Sequence, residues 1–217
     1  GYRDNLGQVA SAPAAGTFRY YGIERSRHVM RWLRKGPGRD RFNIATHLTL
    51  GWGGSQGGTA ILFTALNDPA LFAVAQANVP CLNWYTEDHA NLWTSGTFHF
   101  LAGRPEDGVR DEHGRWTVDA LDATRRLQEL VAEDPSLFPV LNVLSGWNDP
   151  TVVWDHDNTN FAQAVQASGL PIHFVWADGG HETGATADFA FITNEAPVVG
   201  YANCPLFPTP LPPADAP

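Results

Sequence analysis

Gly53-Gly54-Ser55-Gln56-Gly57-Gly58 is the stretch that most narrows what this chain can fold into. Upstream, residues 44–50 read as an apolar strand. Downstream, residues 56–66, with Thr59-Ala60-Ile61-Leu62-Phe63, read as a helix packed closely through small side chains. A strand that turns into a helix within a few residues needs unusual backbone angles and close approach of main chain to main chain. Glycine supplies both. A serine on such a turn projects its hydroxyl from the end of a sheet, and the following helix aims its first amide groups at the same place. A glycine-rich turn with an incidental serine has the same five-residue pattern, so the rest of the chain has to decide.

Elsewhere strands alternate with helices. Residues 22–35 read as a helix, with Ile23, Met30 and Leu33 on one face and Arg31, Arg34 and Lys35 at its end, where cations are favoured. Gly36-Pro37-Gly38 stops it. A short apolar run covers 72–79, a helix is spaced by Ala120, Ala123, Leu127, Leu130 and Val131, and 139–144 reads as the next strand. Residues 158–168 read as a helix, 172–176 as a further strand and 184–194 as the last helix. That alternation predicts an α/β fold with a mainly parallel sheet. Residues 82–116 have no clear period and are rich in Trp, Gly, His and acids, as expected of a lid or binding insertion. The expected organisation is one catalytic domain over 1–204 and a proline-rich tail over 205–217.

A nucleophilic serine needs a base, and the base needs an orienting acid. The strand 172–176 leads into Gly179-Gly180-His181-Glu182, where a histidine past the strand end can swing over the serine. The strand 139–144 leads into Asn148-Asp149-Pro150, which puts Asp149 just past its carboxyl end. Asp155 and Asp157 compete for the acid role, and His156 and His173 for the base. Ser55, Asp149 and His181 follow one another in the order Ser…Asp…His. Trp84, Trp93, Trp147 and Trp154 lie in segments expected to surround the mouth and could wall in a sugar ring or aromatic group, or they could equally be local core.

With these residues in place the chain resembles an α/β-hydrolase serine esterase over about residues 22–194. The GGSQGG elbow and the GGHE turn are similar in form to those of acetyl xylan esterase-type and related secreted ester hydrolases, although the Arg-Gly-Gln motif of those carbohydrate esterases is not found upstream. The resemblance implies Ser55 as nucleophile, Asp149 as orienting acid, His181 as base and the Gln56 backbone N–H as one oxyanion donor. It implies hydrolysis of a carboxylic ester through an acyl-enzyme, with no metal or organic cofactor. A carbohydrate-linked or aromatic ester is expected first, and a polyester, a lipid ester, or a peptide or amide bond next. A non-catalytic binding protein of the same fold is the reading from a different class.

Net charge and length bound the remainder. With 14 basic against 23 acidic residues the net charge is −9, which argues against binding to nucleic acid or an anionic membrane. No run of eighteen apolar residues is present, so no transmembrane segment is expected. Lys35 as sole lysine, the acidic surface, the proline-rich tail and a Cys81–Cys204 bridge would together suit an exported protein, secreted or periplasmic. In the fold implied here, the nucleophile strand lies mid-sheet after several others, yet in this chain it is the first confident strand. The expectation is therefore a carboxyl-terminal part of a hydrolase lacking its N-terminal strands, with a second polypeptide supplying them and the second oxyanion donor; the alternative is a reduced or rearranged sheet with that donor from elsewhere.

Overall fold

The computed structural model describes residues 17–43, 49–84, 108–133, 138–154 and 156–182. Helix α1 (Tyr21–Lys35) carries Glu24 in its first turn and Arg34 and Lys35 in its last, each charge on the end where the helix dipole favours it. Gly36, in extended backbone, ends it. Pro37 then opens the short helix α2 (Pro37–Phe42), a position where its missing N–H costs nothing. The Gly-Pro-Gly stop is thus a break between two helices.

The principal sheet has four parallel strands in the order β2 (Leu50–Gly54), β3 (Val74–Asn78), β5 (Val140–Gly146), β6 (Ile172–Ala177). Helix α3 (Gln56–Asn67) joins β2 to β3, and α6 (His156–Ser168) joins β5 to β6. Between β3 and β5 come α4 (Thr117–Ala120) and α5 (Ala123–Ala132). Two residues at Thr17–Phe18 (β1) pair in parallel with Arg110–Asp111 (β4), apart from the main sheet.

One expectation shifts here. The described strand that carries the glycine motif, Leu50–Gly54, runs on past residue 50 through the glycines, while residues 44–48 lie outside the described residues. The glycines that read as a turn are in extended register with β3, from Leu50 opposite Val74 to Gly54 opposite Asn78. Only Ser55 remains as the turn.

The register explains the core. Gly51, Ala75, Leu141 and Ile172 form one row across the sheet, and Gly53, Ala77, Val143 and Phe174 the next. Both rows face α3, α5 and α6, whose Leu62, Leu66, Leu127 and Phe161 are fully buried. Small residues on β2 and β3 let α3 approach closely, while larger ones on β5 and β6 fill the space beneath α5 and α6. Burying one such leucine or phenylalanine contributes about 1.5–3 kcal/mol.

Among the described residues β2 lies at the sheet edge, with Leu50 and Trp52 exposed on the face away from α3. Among the described residues this is the mainly parallel α/β sheet expected from the sequence, with the glycine motif on its edge strand. Most of the 82–116 insertion, the 184–194 helix, the 205–217 tail, Trp93 and Cys204 lie outside the described residues. No described helix is long and apolar enough to cross a membrane.

Candidate active site

Ser55 joins β2 to α3 with φ 55° and ψ −122°, a backbone conformation that non-glycine residues rarely adopt. Its N–H donates to the Asn78 carbonyl at the end of β3 (2.9 Å), and its own carbonyl accepts from the Thr59 N–H (2.9 Å) and hydroxyl (3.1 Å). Strain of this kind costs about 1–3 kcal/mol and persists only where the surroundings enforce it. Two glycines make the turn possible. A Cβ on Gly53 would lie 2.3 Å from the Gly57 carbonyl oxygen, and one on Gly58 would lie 2.4 Å from the Asn78 carbonyl oxygen. Both obstacles are backbone, so neither can move aside.

Beside it, Val79 also has positive φ, at 43°, with its N–H on the Leu144 carbonyl (2.6 Å). This bend sends the following residues over the start of α3, where the Cys81 N–H donates to the Thr59 hydroxyl oxygen (2.9 Å). Thr59 thus ties the elbow to the segment that carries Trp84.

Asp149 follows β5 and is buried. One carboxylate oxygen accepts the N–H groups of Thr151 (2.7 Å) and Val152 (2.9 Å), closing a turn around Pro150. His181 follows β6, and its loop is stitched to the Asp149 loop. Trp147 N–H donates to Ala177 O (2.9 Å), Asn148 N–H donates to Gly179 O (3.1 Å), and the Asn148 side-chain amide donates to Asp178. His181 Nδ1 is 2.8 Å from the free Asp149 oxygen, and Nε2 is 2.8 Å from Ser55 Oγ. With Asp149 accepting from Nδ1–H, Nε2 presents its lone pair to the Ser55 hydroxyl. Such a chain can move a proton off the serine as its oxygen attacks.

The other candidates fall elsewhere. Asp157 accepts from the Asn83 side chain (3.4 Å), and Asp155 is outside the described residues. His173 lies within β6, where burial pushes its imidazole below the ordinary value. His156 is the first residue of α6. Gln56 is the first residue of α3, so its N–H belongs to the turn that has no intrahelical acceptor. Trp84 is half-buried and lines a cavity that reaches Gln56. Trp147 is half-buried and stacks on Trp154 at 5.8 Å.

Trp154 itself is only 3% exposed and stacks on Phe174, so the structure moves it from the mouth into the core. The residues that sequence reasoning passed over are Asn78, Val79 and Thr59. The first two act through backbone, which leaves no pattern; Thr59, one turn along α3 from Ser55, was legible as a neighbour.

A parallel sheet whose strand ends gather a strained serine, a histidine and a buried carboxylate is an arrangement of the α/β-hydrolase fold class. The profile of the prolyl oligopeptidase family matches residues 40–194. The chain therefore belongs to the prolyl oligopeptidase family. Solved structures share the fold. Dipeptidyl peptidase 4 of Porphyromonas gingivalis is 16% identical with a TM-score of 0.55, over 75% of this chain and 20% of that one. A truncated carbohydrate esterase from gut microbiota is 15% identical with a TM-score of 0.55, over 75% and 62%. The fluorophosphonate-binding serine hydrolase F of Staphylococcus aureus, in a substrate-bound structure, is 20% identical with a TM-score of 0.53, over 75% and 56%. The chain thus spans about a fifth of the length of the peptidase and less than two thirds of the other two. No curated protein matches it in sequence.

Proposed function

We propose that this chain carries the Ser-His-Asp machinery of an acyl hydrolase. The observation that carries the reading is the unbroken path from Ser55 Oγ through His181 to Asp149, with both contacts at 2.8 Å. His181 takes the Ser55 proton as Oγ bonds to the acyl carbon, and the Gln56 N–H holds the oxyanion. The imidazolium then protonates the leaving group, which departs and leaves an acyl-serine. Water, losing a proton to His181, attacks the acyl carbon and restores the free serine. Asp149 keeps accepting from His181 Nδ1–H and stabilises the imidazolium.

A carboxylic ester is the substrate we favour, in keeping with the esterase-like elbow and histidine turn and the likeness to the gut carbohydrate esterase. A short peptide is the second reading, favoured by the family match and the likeness to dipeptidyl peptidase 4. A fluorophosphonate probe is expected to label the full-length protein and to fail on Ser55→Ala. Absence of labelling in the folded wild-type protein would leave only the binding-protein reading. On a panel of short p-nitrophenyl esters, feruloyl esters and peptide amides, turnover of esters above matching amides supports the esterase, and the reverse order makes it a peptidase.

Among the described residues β2 is an edge strand, and a second polypeptide that pairs a strand with it and brings the second oxyanion donor is a companion proposal. Native mass spectrometry of the natural protein should show that chain bound, and a fully active single chain would refute it.

A further inference from the structure

A cavity of about 600 Å³ runs from Gln56 along the outer flank of α3 to the start of α1. Its walls are the rings of Phe18, Tyr20, Tyr21, Phe63 and Trp84, with Leu121 beside them. Gln56, Ala60 and Phe63 recur at helical spacing along one face of α3, so the cavity begins one residue from Ser55 and extends away from it.

Three of the hydroxyls that line it are engaged by the protein. Thr59 Oγ1 donates to Ser55 O and accepts from Cys81 N–H. Ser26 Oγ donates to Gly22 O (2.9 Å), and the Tyr20 hydroxyl donates to Ala120 O (2.9 Å). Arg19 is the sole charged residue among those lining it. A lining dominated by aromatic faces offers mainly dispersion and burial. It selects a group by size and apolarity, not by hydrogen bonding.

The neighbouring cavity makes the contrast. Across the Arg19–Ile23 segment lies a polar cleft in which Arg27, Arg115 and Arg126 face Glu24, Glu129 and Glu133. Those charges pair largely with one another, as Arg126 does with Glu129 at 2.6 Å. The Tyr20 ring and its bond to Ala120 separate the two spaces.

We propose that the apolar cavity is a specificity pocket, which holds a neutral, bulky apolar or aromatic group of the ester or amide attacked at Ser55. This rests on the acyl-hydrolase reading. Its volume admits a bicyclic aromatic group, within the range usual for small-molecule sites. A substrate held there lies alongside the Gln56 N–H, with its carbonyl at the serine.

Ala60, exposed on α3 and lining the cavity, is the position from which to fill it. In the full-length protein, Ala60→Phe is expected to lower kcat/KM for 2-naphthyl acetate or methyl 2-naphthoate relative to that for vinyl acetate by about tenfold or more, the scale a misfit of a methylene or two carries in an apolar pocket. Whichever naphthyl ester loses more shows whether the pocket takes the alcohol or the acyl side. Tyr21→Ala, at an exposed position, removes one wall and should likewise impair the naphthyl esters relative to vinyl acetate. An equal effect on all three esters, or none on any, overturns the proposal.

The two readings fail separately. If fluorophosphonate does not label Ser55, the acyl-hydrolase reading falls, and calorimetric titration with 2-naphthol still tests the cavity. Binding to the wild-type protein that Ala60→Phe abolishes upholds the cavity as a site. Absence of binding overturns it.

Discussion

Replacing Asp149 by Asn separates two tasks that one carboxylate performs. One oxygen accepts the Thr151 and Val152 amides and shapes the turn, while the other accepts from His181 Nδ1 (2.8 Å). In Asp149→Asn the retained carbonyl oxygen continues to accept both amides. The new NH₂ then faces Nδ1, which has to become an acceptor. The imidazole proton moves to Nε2, so Ser55 meets a donor where it needs a base. The expected fall in kcat is about 10⁴-fold, by analogy with the same exchange in another serine hydrolase triad. At about 1.36 kcal/mol per tenfold, that is roughly 5.4 kcal/mol of lost transition-state stabilisation. Folding stability should change far less, by about 1 kcal/mol, since one hydrogen bond is exchanged for another. Asp149→Ala removes the acceptor altogether, and each amide left unpaired away from water costs about 1–3 kcal/mol. The assay is the rate of fluorophosphonate labelling and steady-state ester turnover beside urea denaturation, for wild type and both variants. Activity of Asp149→Asn within tenfold of wild type would refute the reasoning and leave Asp149 as a turn-former only.

Gly58→Ala should destabilise the protein by about 1–3 kcal/mol or prevent folding, because its Cβ would sit 2.4 Å from the Asn78 carbonyl that anchors Ser55. Urea midpoints measure it, and an unchanged midpoint would show that α3 can draw back from β3. Asp122 caps α5 by accepting from the Arg125 N–H (3.1 Å), and burial raises its carboxyl above the ordinary value of 3.8. The folded chain therefore binds this proton more tightly than the unfolded chain. The resulting stabilisation is present below the ordinary value and is lost as pH rises through the raised one. Asn caps helices as well as Asp. Asp122→Asn should flatten that part of a Tm-against-pH profile, and an unaltered slope would assign it to other groups.

Much of the fold was legible because local signals agreed with one another. The Arg-Lys end and glycine stop of α1, the small-residue run of α3 and the apolar runs of β3, β5 and β6 each mark their element without help from the rest. Ser55, Asp149 and His181 were legible for a related reason. Each sits in a short Gly- or Pro-marked turn just past a strand, where a parallel sheet collects its chemistry. The continuation of β2 past Leu50 was not legible, because Gly51, Gly53 and Gly54 carry turn propensity. Pairing with β3, together with space for a helix that only glycine leaves open, overrides it. Whether Trp154 faced the mouth or the core was not legible, because an aperiodic segment gives no sign of which tryptophan turns inward.

The sequence alone determined the alternation of elements, the residue types able to do acyl chemistry and their order along the chain, because those depend on local propensity and spacing. Only the tertiary structure decided which acid meets which imidazole. Asp149 and Asp157 are equivalent as carboxylates, and they differ only in where the folded loops put them, one on His181 and the other on Asn83. The same holds for the glycine motif. Its pattern announced a tight turn, but the strain on Ser55 is sustained by the Asn78 carbonyl of the neighbouring strand, a backbone contact that no side chain encodes.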